Sequence, residues 1–182
     1  MAEPALVIRD AVPSDAEGIL EVYRPFVLDT AVSFEMTPPT VDEMRERIGS
    51  AQSRWSWLVA DDGGVIAGYA YASAFRARVA YKWTAETSAY LLPGYRGRKI
   101  ASRLYRRLFD VLIAKGFCNA YAGIAMPNDA SVAFHQAMGF TEVGTFHRAG
   151  WKFDQWHDVS WWERALALVP PVPTPSGAHR VE

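Results

Sequence analysis

Along residues 100–112, apolar side chains recur at Ile100, Leu104, Leu108 and Leu112. That four-residue step puts them on one helical face. Ala101 and Val111 widen the stripe, Arg103, Arg106 and Arg107 fall outside it, and Lys115-Gly116 is a stop signal, so a helix is expected over 97–115. A second helix is expected over 40–52, where Thr40 and Glu43 have capping-box spacing and Met44 and Ile48 share a face. Ser14, with Glu17 three residues on, predicts a cap for a helix over 15–23, and a fourth helix over 129–138 stops at Gly139. Alternating or continuous apolar runs predict strands at 6–10, 55–60, 65–75, 81–92, 119–125, 140–149 and 155–166. Asp61-Asp-Gly-Gly64 makes a hairpin turn between the second and third, and Pro93-Gly94 ends the fourth. The order β-α-α-β-β-β-α-β-α-β-β reads as an α/β fold, a mixed central sheet flanked by helices. One domain is expected over 1–168, followed by a proline-rich tail over 169–182.

Composition narrows the class. The chain of 182 residues is half hydrophobic and 13% aromatic, which suits one globular domain with a sizeable core. The formal net charge of −1 argues against a dedicated nucleic-acid binder. Cys118 is the one cysteine, so neither an internal disulfide nor a cysteine-based zinc site can form, which fits a reducing cytoplasm. His147 and His157 lie ten apart without cysteine partners, and no metal is expected. Charges within the first ten residues and the lack of a long apolar run imply neither a signal peptide nor a membrane span.

The most informative stretch is GYRGRKIASRLYRRL at 94–108. A strand, a glycine-bearing turn and a helix start together form an anion site, because the first N–H groups of a helix lack internal acceptors and carry its positive dipole end. Gly94 and Gly97 allow close approach to the main chain, and Arg96 and Arg98 add charge. A solvated basic helix face is the plain alternative, and a nucleic-acid backbone is a third.

RGRKIA at 96–101 resembles the R/Q-x-x-G-x-G/A loop with which the GNAT N-acetyltransferases cradle the pyrophosphate of acetyl-CoA. NDASVAFHQAMGF at 128–140 is similar to that family's N-x-x-[SA]-x-x-[FL]-[YH]-x-x-x-G-F segment. AVSFE at 31–35, RARVAYKWTAE at 76–86, MPNDASV at 126–132 and AGWKFDQWHDV at 149–159 resemble the phosphinothricin and methionine sulfoximine N-acetyltransferases, a likeness running over roughly 5–168. Lys99 departs from the pattern by standing where a glycine is usual. Its Cβ either narrows the space for a pyrophosphate or its ammonium pairs with a phosphate.

The resemblance implies a reaction and a set of roles. Acetyl moves from a thioester to a primary amine, which must lose a proton, and Glu86 takes the position of the family's general base. Backbone N–H groups of Ala89, Tyr90 and Leu91 are implied as donors to the developing oxyanion. The cofactor set comprises these with Arg96, Gly97, Arg98, Lys99, Ile100, Ala101 and Ser102 in the loop and Asn128 and Ser131 at the later helix. Asn128 also reads as a helix cap. His135 is a candidate proton donor to the leaving thiolate, or a locally packed histidine. Arg76 and Arg78 are candidates to hold a substrate carboxylate, with Arg78 matching the relatives better. Phe34, Glu35, Tyr81 and Trp83 are expected to line the pocket, ordinary core packing being the alternative for the aromatics.

The function expected is therefore transfer of acetyl from acetyl-CoA to the α-amine of phosphinothricin, methionine sulfoximine, methionine sulfone or a similar amino acid. Acetylation of a peptide N-terminus or polyamine is the nearer rival, and a non-catalytic CoA- or nucleic-acid-binding module the farther one. A cytoplasmic homodimer is expected from the relatives.

Overall fold

The computed structural model describes residues 6–167. Seven strands form one sheet in the order β1-β2-β3-β4-β5-β7-β6: β1 Val7–Asp10, β2 Ser56–Asp62, β3 Val65–Ala74, β4 Thr84–Leu91, β5 Asn119–Ala125, β6 Thr141–Lys152 and β7 Gln155–Ala165. The helices are α1 Ala16–Leu28, α2 Val41–Arg54, α3 Ile100–Ala114 and α4 Asp129–Ala137. All neighbouring strands are antiparallel except β4 and β5.

The sheet is covered on both faces, which is why β2 and β3 read as continuous apolar runs. Ile19, Val22, Met44 and Ile48 from α1 and α2 pack on Val59 and Tyr69. On the other face, Leu104, Leu108 and Leu112 from α3 pack on Leu58, Ala70, Ala85 and Ala120, joined by Met138 after α4. The stripe of α3 is thus buried as its spacing requires.

Several expected boundaries move. Thr40 caps α2 as read, accepting from Glu43 N while the Glu43 carboxylate takes the Thr40 N–H at 2.6 Å. Ser14 does not cap α1. Pro13–Asp15 form a 3-10 turn, and the Asp15 carboxylate takes the Val12 N–H and a fork from Arg9 at 2.7 and 2.8 Å. Helix α1 then runs through Pro25 to Leu28, because Val27 continues its buried face. Strand β4 starts at Thr84 rather than at 81, since Val79–Tyr81 make a 3-10 turn. Helix α3 starts at Ile100 rather than at 97, since Gly97 and Lys99 have positive φ. Strands β6 and β7 form a long hairpin closed by Phe153 and Asp154, both at positive φ. The proline-rich tail expected at 169–182 lies outside the described residues.

The feature that makes a site is the parallel pair. Strands β4 and β5 pair only at Thr84↔Asn119, Ala85↔Ala120 and Glu86↔Tyr121. Beyond Glu86, β4 stays with β3 as far as Leu91, and β5 stays with β7 as far as Ala125. The sheet therefore parts in its middle, leaving unpaired main chain along both sides of a gap.

Candidate active site

The gap opens to both faces of the sheet. On the face of α1 and α2 it widens into a cleft of about 510 Å³, with Glu86, Ser88 and Tyr90 on one wall, Gly123, Ala125 and Trp161 on another, and Val32–Glu35 and Phe146 at the lip. On the other side a narrow slot of about 50 Å³ is lined by Thr87, Ala89, Tyr105, Asn128, Ser131 and His135. Val32, Ser88, Tyr90, Gly123 and Ala125 border both, so cleft and slot are two mouths of one passage.

Alternation along β4 explains the division of labour. Glu86, Ser88 and Tyr90 point to the cleft, while Thr87 and Ala89 point to the slot. The main chain alternates too. The Leu92 N–H donates to the Ala67 carbonyl across to β3. Counting back by twos, Tyr90 and Ser88 spend their N–H groups on β3, whereas Ala89 and Leu91 direct theirs into the gap. Tyr90 thus contributes its ring to the cleft, and Ala89 and Leu91 are the N–H donors facing it.

Glu86 is the one carboxylate of the central β4–β5 pairing. Burial pushes its proton affinity above the usual carboxylate range, opposed by the positive charge of Arg76. A half-buried position in an apolar strand has no structural need for a carboxylate, and desolvation makes this one a better proton acceptor.

In the slot, His135 Nδ1 lies 2.8 Å from the Ser131 carbonyl, which only accepts, so Nδ1 carries hydrogen. Its Nε2 lies 3.2 Å from Tyr105 Oη and, in the neutral ring that burial favours, accepts from it. His135 is 6% exposed, and burial lowers its proton affinity, which agrees with a neutral ring. Both ring nitrogens are engaged. The hydroxyl of Tyr105, whose own pKa burial raises, stays protonated and is oriented by the histidine. Asn128 caps α4 through its side chain, which accepts from Ser131 N at 3.1 Å.

Strand β4 leads along the passage to the turn at 93–99. Lys99 sits in the left-handed region at φ 59° and Gly97 at φ 74°. Nothing lies within 4 Å of a Cβ placed on Gly94 or Gly97, so the space before the turn is open. The N–H of Arg103 is the first to bond inside the helix, to the Lys99 carbonyl. Those of Ile100, Ala101 and Ser102 are left for a ligand. Arg96 and Arg98 stack over Phe26 and Tyr95 with their charges exposed. This turn fits a pyrophosphate. Lys99 already holds the backbone shape a glycine would take, so its ammonium, not its Cβ, is what it adds. Lys99→Gly is expected to weaken acetyl-CoA binding severalfold, and more at low salt than at high, as loss of an exposed charge contact does. Calorimetric titration at two salt concentrations measures this, and tighter binding would mean that Lys99 crowds the loop.

The remaining expected residues divide. Phe34 and Glu35 line the cleft. The Glu35 carboxylate is held by Arg47 at 2.6 Å and Tyr23 at 3.0 Å, so it is a wall and not a free acceptor. Arg78 and Tyr81 are not brought to the cleft. They line a separate pocket of about 230 Å³ with Arg54 and Lys82, which Arg76 also borders. Trp83 lies in neither, with its ring against Gly116 and the Lys82 ammonium. Tyr81 and Trp83 fall short because β4 begins after them.

The sequence reading missed Tyr71, Ser88, Tyr105, Trp161 and Lys152. Tyr71 and Ser88 are cross-strand partners on the face of Glu86, visible only once β3 and β4 are in register. Lys152 is 2% exposed and donates to the carbonyls of Val27 and Ser33, both at 2.6 Å. It ties the β6–β7 hairpin to the segment after α1. Nearby, a Cβ on Gly150 would fall 2.5 Å from the Phe34 ring, so hairpin and lip are in close contact.

A mixed sheet parted in the middle, with a basic turn at one end of the gap and a desolvated carboxylate in it, defines an acyl-transfer enzyme built for a phosphate-bearing donor. The chain belongs to the GNAT acetyltransferases: the acetyltransferase (GNAT) domain model matches residues 8–161. It is 38% identical over 167 residues to the phosphinothricin N-acetyltransferase of Streptomyces viridochromogenes, covering 91% of each chain. It is 30% identical to the L-methionine sulfoximine/L-methionine sulfone acetyltransferase of Salmonella typhimurium, covering 88% of this chain and 95% of that one. Its fold superposes with TM-scores of 0.86 and 0.87 on two solved acetyltransferases. One is the phosphinothricin acetyltransferase of Sinorhizobium meliloti in complex with acetyl-CoA, with TM-score 0.87, 35% identity and coverage of 98% and 100%. The α/β fold expected from the element order is the observed one, and the chain is an acetyl-CoA-dependent acetyltransferase.

Among the described residues no helix is long and apolar enough to cross a membrane, and no group of three or more His, Cys, Asp or Glu is placed to hold a metal.

Proposed function

We propose that the chain transfers acetyl from acetyl-CoA to the α-amine of a small amino acid or analogue of the phosphinothricin, methionine sulfoximine or methionine sulfone type, with Glu86 as the general base. The observation that carries this reading is the desolvated Glu86 carboxylate in the cleft, on the strand that runs on to the basic turn at 93–99. The amine enters from the cleft and gives its proton to Glu86, directly or through one water. The N–H groups of Ala89 and Leu91 face the charge that develops on the acetyl oxygen. Tyr105, which His135 orients in the slot, serves as the proton donor to the leaving sulfur. Asn128 and Ser131 hold the arm of the donor, and residues 96–102 its phosphates.

Arg76 is a better partner for the acceptor's carboxylate than Arg78, because both border the neighbouring pocket but the charge of Arg76 acts on Glu86. The same reading makes the protein a cytoplasmic homodimer acting on small molecules and not on nucleic acid or membranes. Trp151 and Trp156, 51% and 56% exposed on the hairpin, offer an apolar surface to a second copy. Residues 1–168 are proposed as the single catalytic domain.

The test is thiol release from acetyl-CoA with a panel of amino acids and their sulfone, sulfoximine and phosphinic analogues. Turnover of amines without a carboxylate as fast as of amino acids would overturn the acceptor class. Arg76→Ala is expected to raise KM for an amino acid far more than for its amide, by the ~1.5–3 kcal/mol of a charge-assisted bond. Equal effects on acid and amide would remove Arg76 from that role.

A further inference from the structure

Beneath α2, on the sheet face that carries Glu86, lies a second cavity of about 460 Å³. That volume is in the range of small-molecule sites, about 300–1,000 Å³. Its floor is Trp57, Tyr69 and Tyr71, and Met44 and Ala51 of α2 form its roof. Trp57 and Tyr71 stack at 4.4 Å between ring centroids. Trp57 is 4% exposed, and its Nε1–H has no acceptor among the described residues.

This cavity adjoins the acceptor cleft across Tyr71. Ser73, on the cavity wall, is the cross-strand partner of Glu86. Side chains of such partners stand about 4.5–5.5 Å apart at their Cβ atoms, and serine is too small to close the way between them. The Glu35–Arg47 ion pair stands where the two spaces meet, with Glu35 on the cleft side and Arg47 on the cavity side.

We infer that this aromatic cavity receives the side chain of the acceptor amino acid, and that the enzyme therefore acetylates amino acids with aromatic or long apolar side chains as well as short polar analogues. The inference rests on the acceptor being an α-amino acid whose amine meets Glu86. From that point a short side chain stays in the cleft, and a long one passes Ser73 and lies along Tyr71 towards Trp57. The ring edges and Met44 supply apolar contact that a short side chain does not reach.

The experiment compares kcat/KM for L-tryptophan, L-phenylalanine and L-methionine sulfone in the wild type and in Ala51→Phe, which fills the cavity from the helix without touching Glu86. The expected result is turnover of all three by the wild type. Ala51→Phe should lose about tenfold or more on tryptophan and phenylalanine and stay within about twofold on methionine sulfone. Ser50→Trp, at an exposed position of α2 at the cavity mouth, is the second variant should Ala51→Phe fold poorly, and it is expected to show the same selective loss. Wild-type turnover of methionine sulfone without the aromatic amino acids overturns the inference, as does an equal loss on all three substrates in a variant that still binds acetyl-CoA. Failure to acetylate any amino acid, with turnover of some other amine, overturns the α-amino acid reading, and the inference falls with it.

Discussion

Glu86→Gln is expected to lower kcat by about 10²–10⁴-fold, the range that general-base assistance supplies, with acetyl-CoA binding unchanged. Glutamine keeps the size and the hydrogen-bonding capacity of the side chain but does not accept the amine's proton. The loss should shrink at high pH, where more of the acceptor amine is already neutral. Stability separates this from a folding defect. Burial raises the folded-state pKa of Glu86 above its unfolded value of 4.5. Between the two values the folded form binds more protons, so stability falls as pH rises through that window and stays reduced at pH 7. Removing the charge should therefore leave the Tm at pH 7 equal or higher. For the same reason the acid limb of the wild-type kcat/KM profile should lie above pH 4.5. Turnover by Glu86→Gln within about threefold of wild type at pH 7 would refute the assignment, because the general-base range begins about thirtyfold above that.

Lys152→Met is expected to lower both stability and acceptor affinity. The substitution leaves the Val27 and Ser33 carbonyls without their donor. A buried acceptor left unpaired costs about 1–3 kcal/mol. The Ser33 carbonyl belongs to the lip formed by Val32–Glu35, and Gly150 on the hairpin packs against Phe34. A loosened lip displaces the acceptor and not the donor. KM for the amino acid should rise about tenfold while the Kd for acetyl-CoA holds, since displacement of about an ångström costs on the order of 10²-fold at most. Lys152→Arg, which keeps the donors, should recover part of both. A drop in Tm with KM unchanged would make Lys152 a fold residue alone.

Much of this molecule is written in local patterns. The stripe of α3, the capping box at Thr40 and Glu43 and the Asp61–Gly64 turn depend on neighbours a few residues away, and each appears as read. The glycine-bearing turn before α3 is likewise present, with Gly97 at positive φ, because glycine freedom is a local property. The errors fall where distant partners decide. Ser14 has the residue type of a cap, but Arg9 and the Val12 N–H enlist Asp15 instead. Phe153-Asp154 lacks the glycine that marks a two-residue hairpin turn, yet the pairing of β6 with β7 holds both residues at positive φ.

The site divides in the same way. Glu86 was legible as a carboxylate in an apolar strand, and 94–108 as a basic glycine-bearing turn leading into a helix. Which arginine's charge acts on Glu86 was not, since Arg76 and Arg78 differ by two residues in a loop whose path is set by packing. Nor was the neutral state of His135, which its burial favours, with Nδ1–H turned to the Ser131 carbonyl and Nε2 to the Tyr105 hydroxyl. By itself the sequence determined the elements, their order, the family and the chemical types present, because periodicity, caps and turn chemistry are short-range. Only the tertiary structure decided that β4 and β5 part after Glu86, that Ala89 and Leu91 turn their N–H groups into the gap, and that Lys152 locks the lip. Each of these depends on strand register and on contacts between segments up to 125 residues apart, which no local pattern encodes.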